Sequence, residues 1–225
     1  MSANQNRITI QLDLNGYSFK IQDRSGSVIH EDRKSCPIDL AAGELVPALK
    51  SFAGAVSVYY ATWKYVLVPV EYFDKSDYRS HLAGIRDISE NDTVRTLDLP
   101  SRKAVMVYAF PSDVQASLSV LSKNIKFYPL TYLLIDRLAS ISDNNRLIAA
   151  FSDGVLHIVA GERDRLLFAN SFPAGDIATA EYFIFSVCKE VFFNPGHTYV
   201  HIYGNAGAFM ENELGKYFAG IRYLK

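Results

Sequence analysis

The chain has 225 residues, of which 49% are hydrophobic and 21% are charged, a balance typical of a globular protein with one large or two small domains. Its formal net charge of −1 provides no overall field that favours nucleic acid or an anionic membrane. The stretch MSANQNR lacks the apolar region of a secretory signal, and apolar runs such as Tyr65–Val70 are far too short to cross a bilayer. We therefore expect a cytoplasmic protein with no nucleic-acid partner and no membrane insertion.

The segment Arg7–Lys34 alternates apolar and polar residues in the manner of half-buried strands. Two turn-forming pairs, Asn15-Gly16 and Ser25-Gly26, interrupt this alternation. An Asn-Gly pair favours a two-residue type I′ turn, because both of its positions require a positive φ. The pattern predicts a three-stranded meander, followed by a short helix over Glu44–Phe52.

The rest of the first half alternates strand and helix patterns up to a polar stretch at Ser142–Asn145. The predicted elements are strands over Val56–Ala61 and Lys64–Val70, a helix over Tyr72–Ile88, strands over Thr93–Leu99 and Lys103–Phe110, a helix from Pro111 to Leu121, a strand over Ile125–Tyr128 and a helix over Thr131–Ile141. We expect two domains, 1–142 and 143–225, with residues of about 66–128 inserted in the first as a small subdomain.

The second half begins as the first does, with a predicted meander over Arg146–Phe172 and turns at Asp153-Gly154 and Gly161–Asp164. Asp176 can cap a long helix that runs to about Phe193. The remaining predicted elements are a strand over Tyr199–Tyr203, a glycine-rich turn from Gly204 to Gly207, a helix to about Phe218 and a strand over Ile221–Leu224. Such an internal repeat predicts two copies of one structural unit.

A meander of three strands that continues as helix, strand, helix and strand resembles the ribonuclease-H-like unit. Two such units in tandem resemble the actin-like ATPase fold, which is of the α/β class. Lys103–Leu138, Asn145–Gly175 and Val200–Phe218 are similar to stretches of the actin-like proteins of pilus assembly and cell division. The resemblance implies two tandem ribonuclease-H-like halves with a nucleotide cleft.

The chain more closely resembles a family of uncharacterised proteins from Bacteroidetes, the domain of unknown function family 3822. The residues that carry this resemblance are Val66–Pro69 with Phe73, Lys103–Pro111, Leu166–Phe172, Tyr203-Gly204 and Lys216–Phe218. That family resembles the actin-like ATPases in fold, and it implies no assigned activity.

The active actin-like ATPases hold phosphate groups with two glycine-rich hairpins, each of which carries an acidic residue for Mg²⁺ or water. Here the first hairpin begins at Asp13 and has Asn15-Gly16 followed by the bulky Tyr17 in place of small hydroxyl residues. The second is reduced to Asp153-Gly154. Because a two-residue turn satisfies its own N–H groups, we interpret both as plain hairpin turns rather than working phosphate sites.

The turn from Gly204 to Gly207 is the best remnant of a nucleotide site. A helix that begins after a glycine turn can bind an anion, although the turn geometry alone also requires glycine. The residues assigned to this vestigial cleft are Asp13, Asn15, Gly16, Asp153, Gly154, Gly204 and Gly207. We predict neither catalytic residues nor a metal site, and we interpret Cys188 as a small core residue.

Aromatic residues are concentrated in the middle of the first half, within a chain that has 14 tyrosines, 14 phenylalanines and one tryptophan. Trp63, Tyr65, Tyr72 and Phe73 are either core residues or an association surface, since amphipathic aromatic side chains are enriched at interfaces. We assign these four residues to a candidate interface for an unknown protein partner or for self-association.

The favoured hypothesis is therefore a degenerate, non-hydrolysing actin-like protein that acts as a scaffold or partner-binding module without a cofactor. Two alternatives stay open. One is a divergent actin-like ATPase that binds Mg-ATP. The other is a sensor that binds a small anion between its two halves.

Overall fold

The computed structural model describes residues 6–13, 16–23, 25–35, 54–119, 124–152, 154–204 and 212–224. The helix predicted over Glu44–Phe52 lies outside these ranges. The chain divides into two compact units, Met1–Leu130 and Thr131–Lys225, and each is described by itself.

The first unit contains two sheets within its described ranges. Its strands are β1 (Arg7–Leu12), β2 (Tyr17–Gln22), β3 (Val28–Lys34), β4 (Val56–Tyr60), β5 (Tyr65–Pro69), β6 (Asp92–Leu99), β7 (Ala104–Pro111) and β8 (Ile125–Pro129). The first sheet has the order β3-β2-β1-β4-β8. Ile8, Ile10 and Leu12 are buried while the residues between them are partly exposed, which confirms the alternation expected of a half-buried strand.

The predicted meander is confirmed in this sheet, because β1 and β3 both pair antiparallel with β2. On its other side β1 pairs parallel with β4, and β4 pairs parallel with β8. Placing β8 here shortens the predicted insertion, because this strand completes the first sheet instead of lying in the subdomain. The insertion is the small sheet, in which β5 and β6 flank β7 in antiparallel pairs.

The helix predicted over Tyr72–Ile88 is wrong in length. A short 3₁₀ helix covers Val70–Tyr72, and the α-helix α1 covers only Tyr78–Ala83. Between them Oδ1 of Asp74 accepts hydrogen bonds from the backbone N–H and the hydroxyl group of Ser76. A side chain that bonds its own local backbone in this way competes with helix formation.

The second unit repeats the first sheet. Its described strands are β9 (Asn145–Ser152), β10 (Val155–Glu162), β11 (Arg165–Pro173), β12 (Tyr199–Tyr203) and β13 (Gly220–Leu224). They form the second sheet in the order β11-β10-β9-β12-β13. As in the first sheet, the meander is antiparallel and the last two strands run parallel to its first strand. The duplication predicted from the sequence is therefore present in strand order and direction.

Further α-helices within the described ranges are α2 (Ser112–Ser119), α3 (Leu130–Arg137) and α4 (Ile177–Glu190). The boundary between the units lies at the start of α3, earlier than the expected junction at residue 142. Contacts at the end of this helical segment explain the difference. Leu138 belongs to the second unit, where its carbonyl oxygen accepts a hydrogen bond from Nη1 of Arg146, 3.1 Å away.

The long helix predicted after Asp176 is confirmed as α4. Oδ1 of Asp176 accepts a hydrogen bond of 2.8 Å from the backbone N–H of Thr179, which satisfies one of the free N–H groups at the helix start. Its apolar stripe, which includes Ile184 and Val187, packs in one buried cluster with residues of the second sheet. Cys188 is buried in the same cluster, as expected for a core residue.

Candidate functional site

The candidate residues of the first unit lie where the parallel strands β1 and β4 end. The backbone N–H of Ala61 donates to the carbonyl oxygen of Leu12 over 2.9 Å, so the two strand ends are adjacent. Ligands of open α/β sheets bind at this carboxyl edge of the parallel strands. The sequence therefore placed Asp13 and Gly16 at the edge of the sheet where a ligand site is expected.

The turn predicted at Asn15-Gly16 lies only in part within the described residues, which include Gly16. In the flanking strands Leu12 pairs with Tyr17. The N–H of Asp13 donates to the carbonyl oxygen of Gly16 over 2.9 Å, and Asn15 lies outside the described ranges.

Gly16 has a packing role instead of the expected positive φ, since its φ lies outside the left-handed region. A Cβ atom at this position would lie 2.5 Å from the carbonyl oxygen of Lys34. The loop therefore requires glycine because it approaches the backbone at the end of β3.

The carboxylate of Asp13 is nearly buried and has one neutral and one charged side chain beside it. Nε2 of Gln11 donates to its Oδ1 over 3.1 Å, and Nη2 of Arg33 lies 3.8 Å from its Oδ2. The ring of Tyr17 is buried in the core of the first unit. Asp13 thus lies just after the carboxyl end of β1, with a cationic side chain from β3 beside it.

The second hairpin is a two-residue turn, as predicted. Ser152 pairs with Val155, and Gly154 has a φ of 80°. The carbonyl oxygen of Gly154 accepts a hydrogen bond of 2.7 Å from the N–H of Ala174, which ties the turn to the segment before α4. Asp153 lies outside the described ranges.

Gly204 lies at the same edge of the second sheet as this turn, because β12 and β9 run parallel and end together. Its φ is 82°, and no heavy atom lies within 4 Å of the place a Cβ would take. The positive φ therefore explains why glycine occupies this position. Gly207 lies outside the described residues.

A small cleft of about 160 Å³ lies beside the end of β4 in the first unit. Its lining includes Tyr60, Thr62 and Trp63, together with an ion pair in which Nζ of Lys64 lies 2.5 Å from Oδ2 of Asp92. Burial raises the pKa of Asp92, but hydrogen bonds from Lys64 and Ser89 outweigh it and leave the pKa below its ordinary value. The sequence analysis missed this pair, because nothing local links two residues that are 28 positions apart in the chain.

The four aromatic residues of the candidate interface have different environments. Tyr72 is 74% exposed and Trp63 is partly exposed, whereas Tyr65 is only 2% exposed. Tyr65 is therefore a core residue, since it pairs with the buried Tyr108 of β7, and its assignment to a surface is wrong. Phe73 is half-buried and packs against the core of the small sheet.

Exposed apolar side chains that the sequence analysis did not single out surround Tyr72 in the chain. We call Val70, Tyr72, Tyr78 and Ile85 the apolar segment. Val70 and Tyr72 precede the short α1, Tyr78 begins it and Ile85 follows it. Leu82 of α1 is fully buried in the small-sheet core.

A search of the described residues finds no cluster of three or more His, Cys, Asp or Glu side chains able to hold a metal ion. Among the described helices, none combines the length and hydrophobicity of a transmembrane span.

Residues 1–221 match the model of the protein family of unknown function DUF3822. The chain belongs to this family. No curated protein matches the chain.

This DUF3822 protein is similar in structure to a Bacteroides thetaiotaomicron protein described as having an actin-like ATPase fold and unknown function. The TM-score is 0.80 at 19% identity, and the alignment covers 99% of this chain and 91% of the other. The fold of the chain is therefore that of the actin-like ATPases, as the sequence predicted.

Two structures of proteins from larger assemblies are also similar. The first is the PilM–PilN type IV pilus biogenesis complex, with a TM-score of 0.58, 12% identity and coverage of 99% and 89% of the two chains. The second is the cytoplasmic domain of EpsL, an inner-membrane component of the Vibrio cholerae type II secretion system, with a TM-score of 0.55, 13% identity and coverage of 88% and 81%. At these identities the similarity shows the fold.

Proposed function

We propose that this protein is a non-hydrolysing, actin-like scaffold of the cytoplasm that binds a protein partner. The observation that carries the proposal is the state of the first hairpin. The carboxylate of Asp13 is engaged by Gln11 and Arg33, and Gly16 serves the packing of the loop against β3.

A magnesium–triphosphate complex needs free backbone N–H donors and a carboxylate available to the cation or its water ligands. In the first hairpin the N–H of Asp13 is already bonded to Gly16. In the second hairpin, a two-residue turn, the N–H of Ala174 is likewise already bonded, to the carbonyl oxygen of Gly154. These bonds support the loss of phosphate binding, because the N–H groups that take part in them already have acceptors.

The partner-binding part of the proposal rests on the first unit. PilM is found in a complex with PilN, and EpsL is a component of a secretion system, so proteins of this fold are used in assemblies. In this chain the apolar segment offers Tyr72 and Ile85, both more than half exposed. Exposed aromatic and aliphatic side chains of this kind are the anchors of protein interfaces.

Isothermal titration with Mg-ATP tests the loss of nucleotide binding. We expect no binding tighter than about millimolar, which corresponds to about −4 kcal/mol. Asp13→Asn serves as the comparison, since it removes the charge and keeps the size of the side chain. Micromolar binding by the wild type that Asp13→Asn weakens would show a working nucleotide site and overturn the proposal in favour of the divergent ATPase.

Affinity capture from the native host tests the partner surface. We expect a partner that is retained by the wild type and lost by the double variant Tyr72→Ser/Ile85→Ser. The matched control is Val28→Ser/Ile29→Ser, which removes two other exposed apolar residues of the same unit. Retention by all three proteins, or by none of them, contradicts a partner surface on the apolar segment.

A further inference from the structure

The cleft beside the end of β4 has an aromatic wall and a nearly buried ion pair, and the proposed scaffold uses neither. Its rings are those of Tyr60 and Trp63, and its volume is about 160 Å³. A cavity of about 150 Å³ is large enough for a benzene ring. Lys64 and Asp92 belong to the same lining, and only 4% of the Asp92 side chain is exposed. The cleft therefore has room for one small ring beside a pair of charged groups.

Short hydrogen bonds hold the segment that carries the rings in one shape. The N–H of Thr62 donates to the carbonyl oxygen of Tyr60 over 2.8 Å, and the N–H of Tyr65 donates to that of Trp63 over 3.0 Å. The N–H of Lys64 donates to the hydroxyl oxygen of Thr62, also over 3.0 Å. Trp63, which is 40% exposed, is thus fixed at the rim of the cleft. Preformed clefts with ring walls and a few fixed polar groups are typical of small-molecule sites.

The ion pair keeps hydrogen-bonding capacity for a further group. Nζ of Lys64 carries three N–H donors, and among the described residues its only partner is Oδ2 of Asp92, 2.5 Å away. The N–H of Ser89, 2.9 Å from the same oxygen, and the Ser89 hydroxyl group also donate to this carboxylate. A carboxylate has about four acceptor positions, so these donors leave capacity on Asp92 as well. The cleft thus presents a donor beside an acceptor.

We propose that this cleft binds a small, neutral, planar ring with an N–H donor next to a carbonyl acceptor, as in a lactam. The ring lies against Trp63, its N–H donates to Asp92, and its carbonyl oxygen accepts a hydrogen bond from Lys64. A planar ligand suits the aromatic wall, because flat rings gain from offset or edge contacts with another ring. The cleft shares no residue with the apolar segment or the first hairpin, so ligand binding here is independent of the scaffold function.

The ion pair itself explains why the ligand is neutral. An anion would be repelled by Asp92, and a cation would be repelled by Lys64. A zwitterion gains its two ion pairs only by breaking the existing one, so it exchanges one nearly buried pair for another instead of adding to it. A lactam uses only the hydrogen-bonding capacity that remains, and the pair of Lys64 and Asp92 stays intact.

Intrinsic fluorescence reports on this site directly, because Trp63 is the single tryptophan of the chain. Uracil is the probe, since it is a neutral ring with lactam groups on its edge. We expect saturable quenching with a dissociation constant below about 1 mM. The matched control is dimethyluracil, in which methyl groups replace both N–H hydrogens, and it should bind at least about tenfold more weakly. No saturation up to about 10 mM uracil, or equal affinities for the two rings, would overturn the proposal.

Removal of the ammonium group tests the role of Lys64. Lys64→Met keeps an unbranched side chain and should weaken uracil binding at least about tenfold, because the carbonyl oxygen of the ring loses its donor. The matched control is Lys20→Met, which removes the cation of the Lys20–Glu31 ion pair in the same unit and should leave uracil binding unchanged.

The double variant Lys64→Met/Asp92→Asn separates recognition from folding. Lys64→Met alone leaves the nearly buried charge of Asp92 without its cation, which destabilises the fold, whereas the double variant has no charge to compensate. Its thermal unfolding should therefore lie closer to that of the wild type. Because it still lacks the ammonium donor, it should bind uracil at least about tenfold more weakly than the wild type. Wild-type affinity in the folded double variant would contradict recognition by the ion pair and overturn the proposal.

Discussion

The two meanders of this protein share strand order and direction, but they differ in burial. In the second unit β10 is buried along its whole length except for its last residue. In the first unit the equivalent β2 is buried only at Tyr17, and most of β3 is exposed. The same topology therefore forms a densely packed core in the second unit and a sheet with an exposed edge in the first.

The sequences of the strands explain this difference. The strand β10 reads VLHIVAGE, which is apolar on both faces, whereas β2 reads YSFKIQ and alternates. The strand β3 is highly charged, and ion pairs link Lys20 with Glu31 and Lys34 with Asp32. Charged side chains on an edge strand discourage pairing with another chain. The two meanders therefore share the hydrogen-bonding pattern between their strands, but they differ in how far their strands are buried.

Truncation of one apolar residue in each meander tests this contrast most strongly. Leu156→Ala in β10 removes a fully buried side chain from the core and should lower the free energy of unfolding by about 3 kcal/mol. Ile29→Ala in β3 removes an exposed side chain and should change it by no more than about 0.5 kcal/mol. Urea denaturation measures both, and similar losses would refute the difference in packing.

A buried histidine gives the second meander its own pH dependence. Burial lowers the pKa of His157 from 6.5 to about 4, and Nδ1 of the ring lies 2.8 Å from the hydroxyl oxygen of Ser171. Between pH 6.5 and 4 the unfolded chain binds a proton at this histidine and the folded chain does not. The stability of the fold should therefore decrease as the pH falls, by up to about 3 kcal/mol at pH 4.

Denaturation midpoints at several pH values, compared with those of His157→Asn, measure this effect. The variant should be less sensitive to pH in this window, because it lacks the titrating ring. A smaller slope of the same sign remains, since burial also lowers the pKa of His201 despite the neighbouring Asp143. Equal slopes for wild type and variant would show that His157 is not buried in its neutral form.

Substitution of the glycines in the two hairpins gives the smallest predicted difference in stability between the two meanders. Gly16→Ala forces a Cβ against the Lys34 backbone and should cost about 2 kcal/mol. Gly154→Ala meets open space and suffers only from its positive φ, at about 1 kcal/mol. Asparagine distinguishes the two causes, because it tolerates a positive φ but not a close backbone contact. Thermal unfolding should show Gly154→Asn near the wild type and Gly16→Asn clearly below it.

The resemblance to actin-like proteins implied the tandem fold. The amino-acid sequence by itself determined the strands, the two meanders and the capped helix after Asp176. These features depend on local periodicity and turn chemistry, which act over a few residues and recur in both halves. The same local rules correctly predicted the two-residue turn at Gly154, where a positive φ is the deciding factor.

Only the tertiary structure decided what surrounds the candidate residues. Three contacts join segments that are separate in the chain: the approach of Arg33 to Asp13, the fit of Gly16 against Lys34 and the pairing of Lys64 with Asp92. Tertiary packing likewise set the burial of Tyr65, which lies on the small sheet, and the exposure of Tyr72, which ends the 3₁₀ helix after it. Local pattern fixes hydrogen bonding along a segment, whereas charge compensation and burial depend on neighbours that only the folded chain brings together.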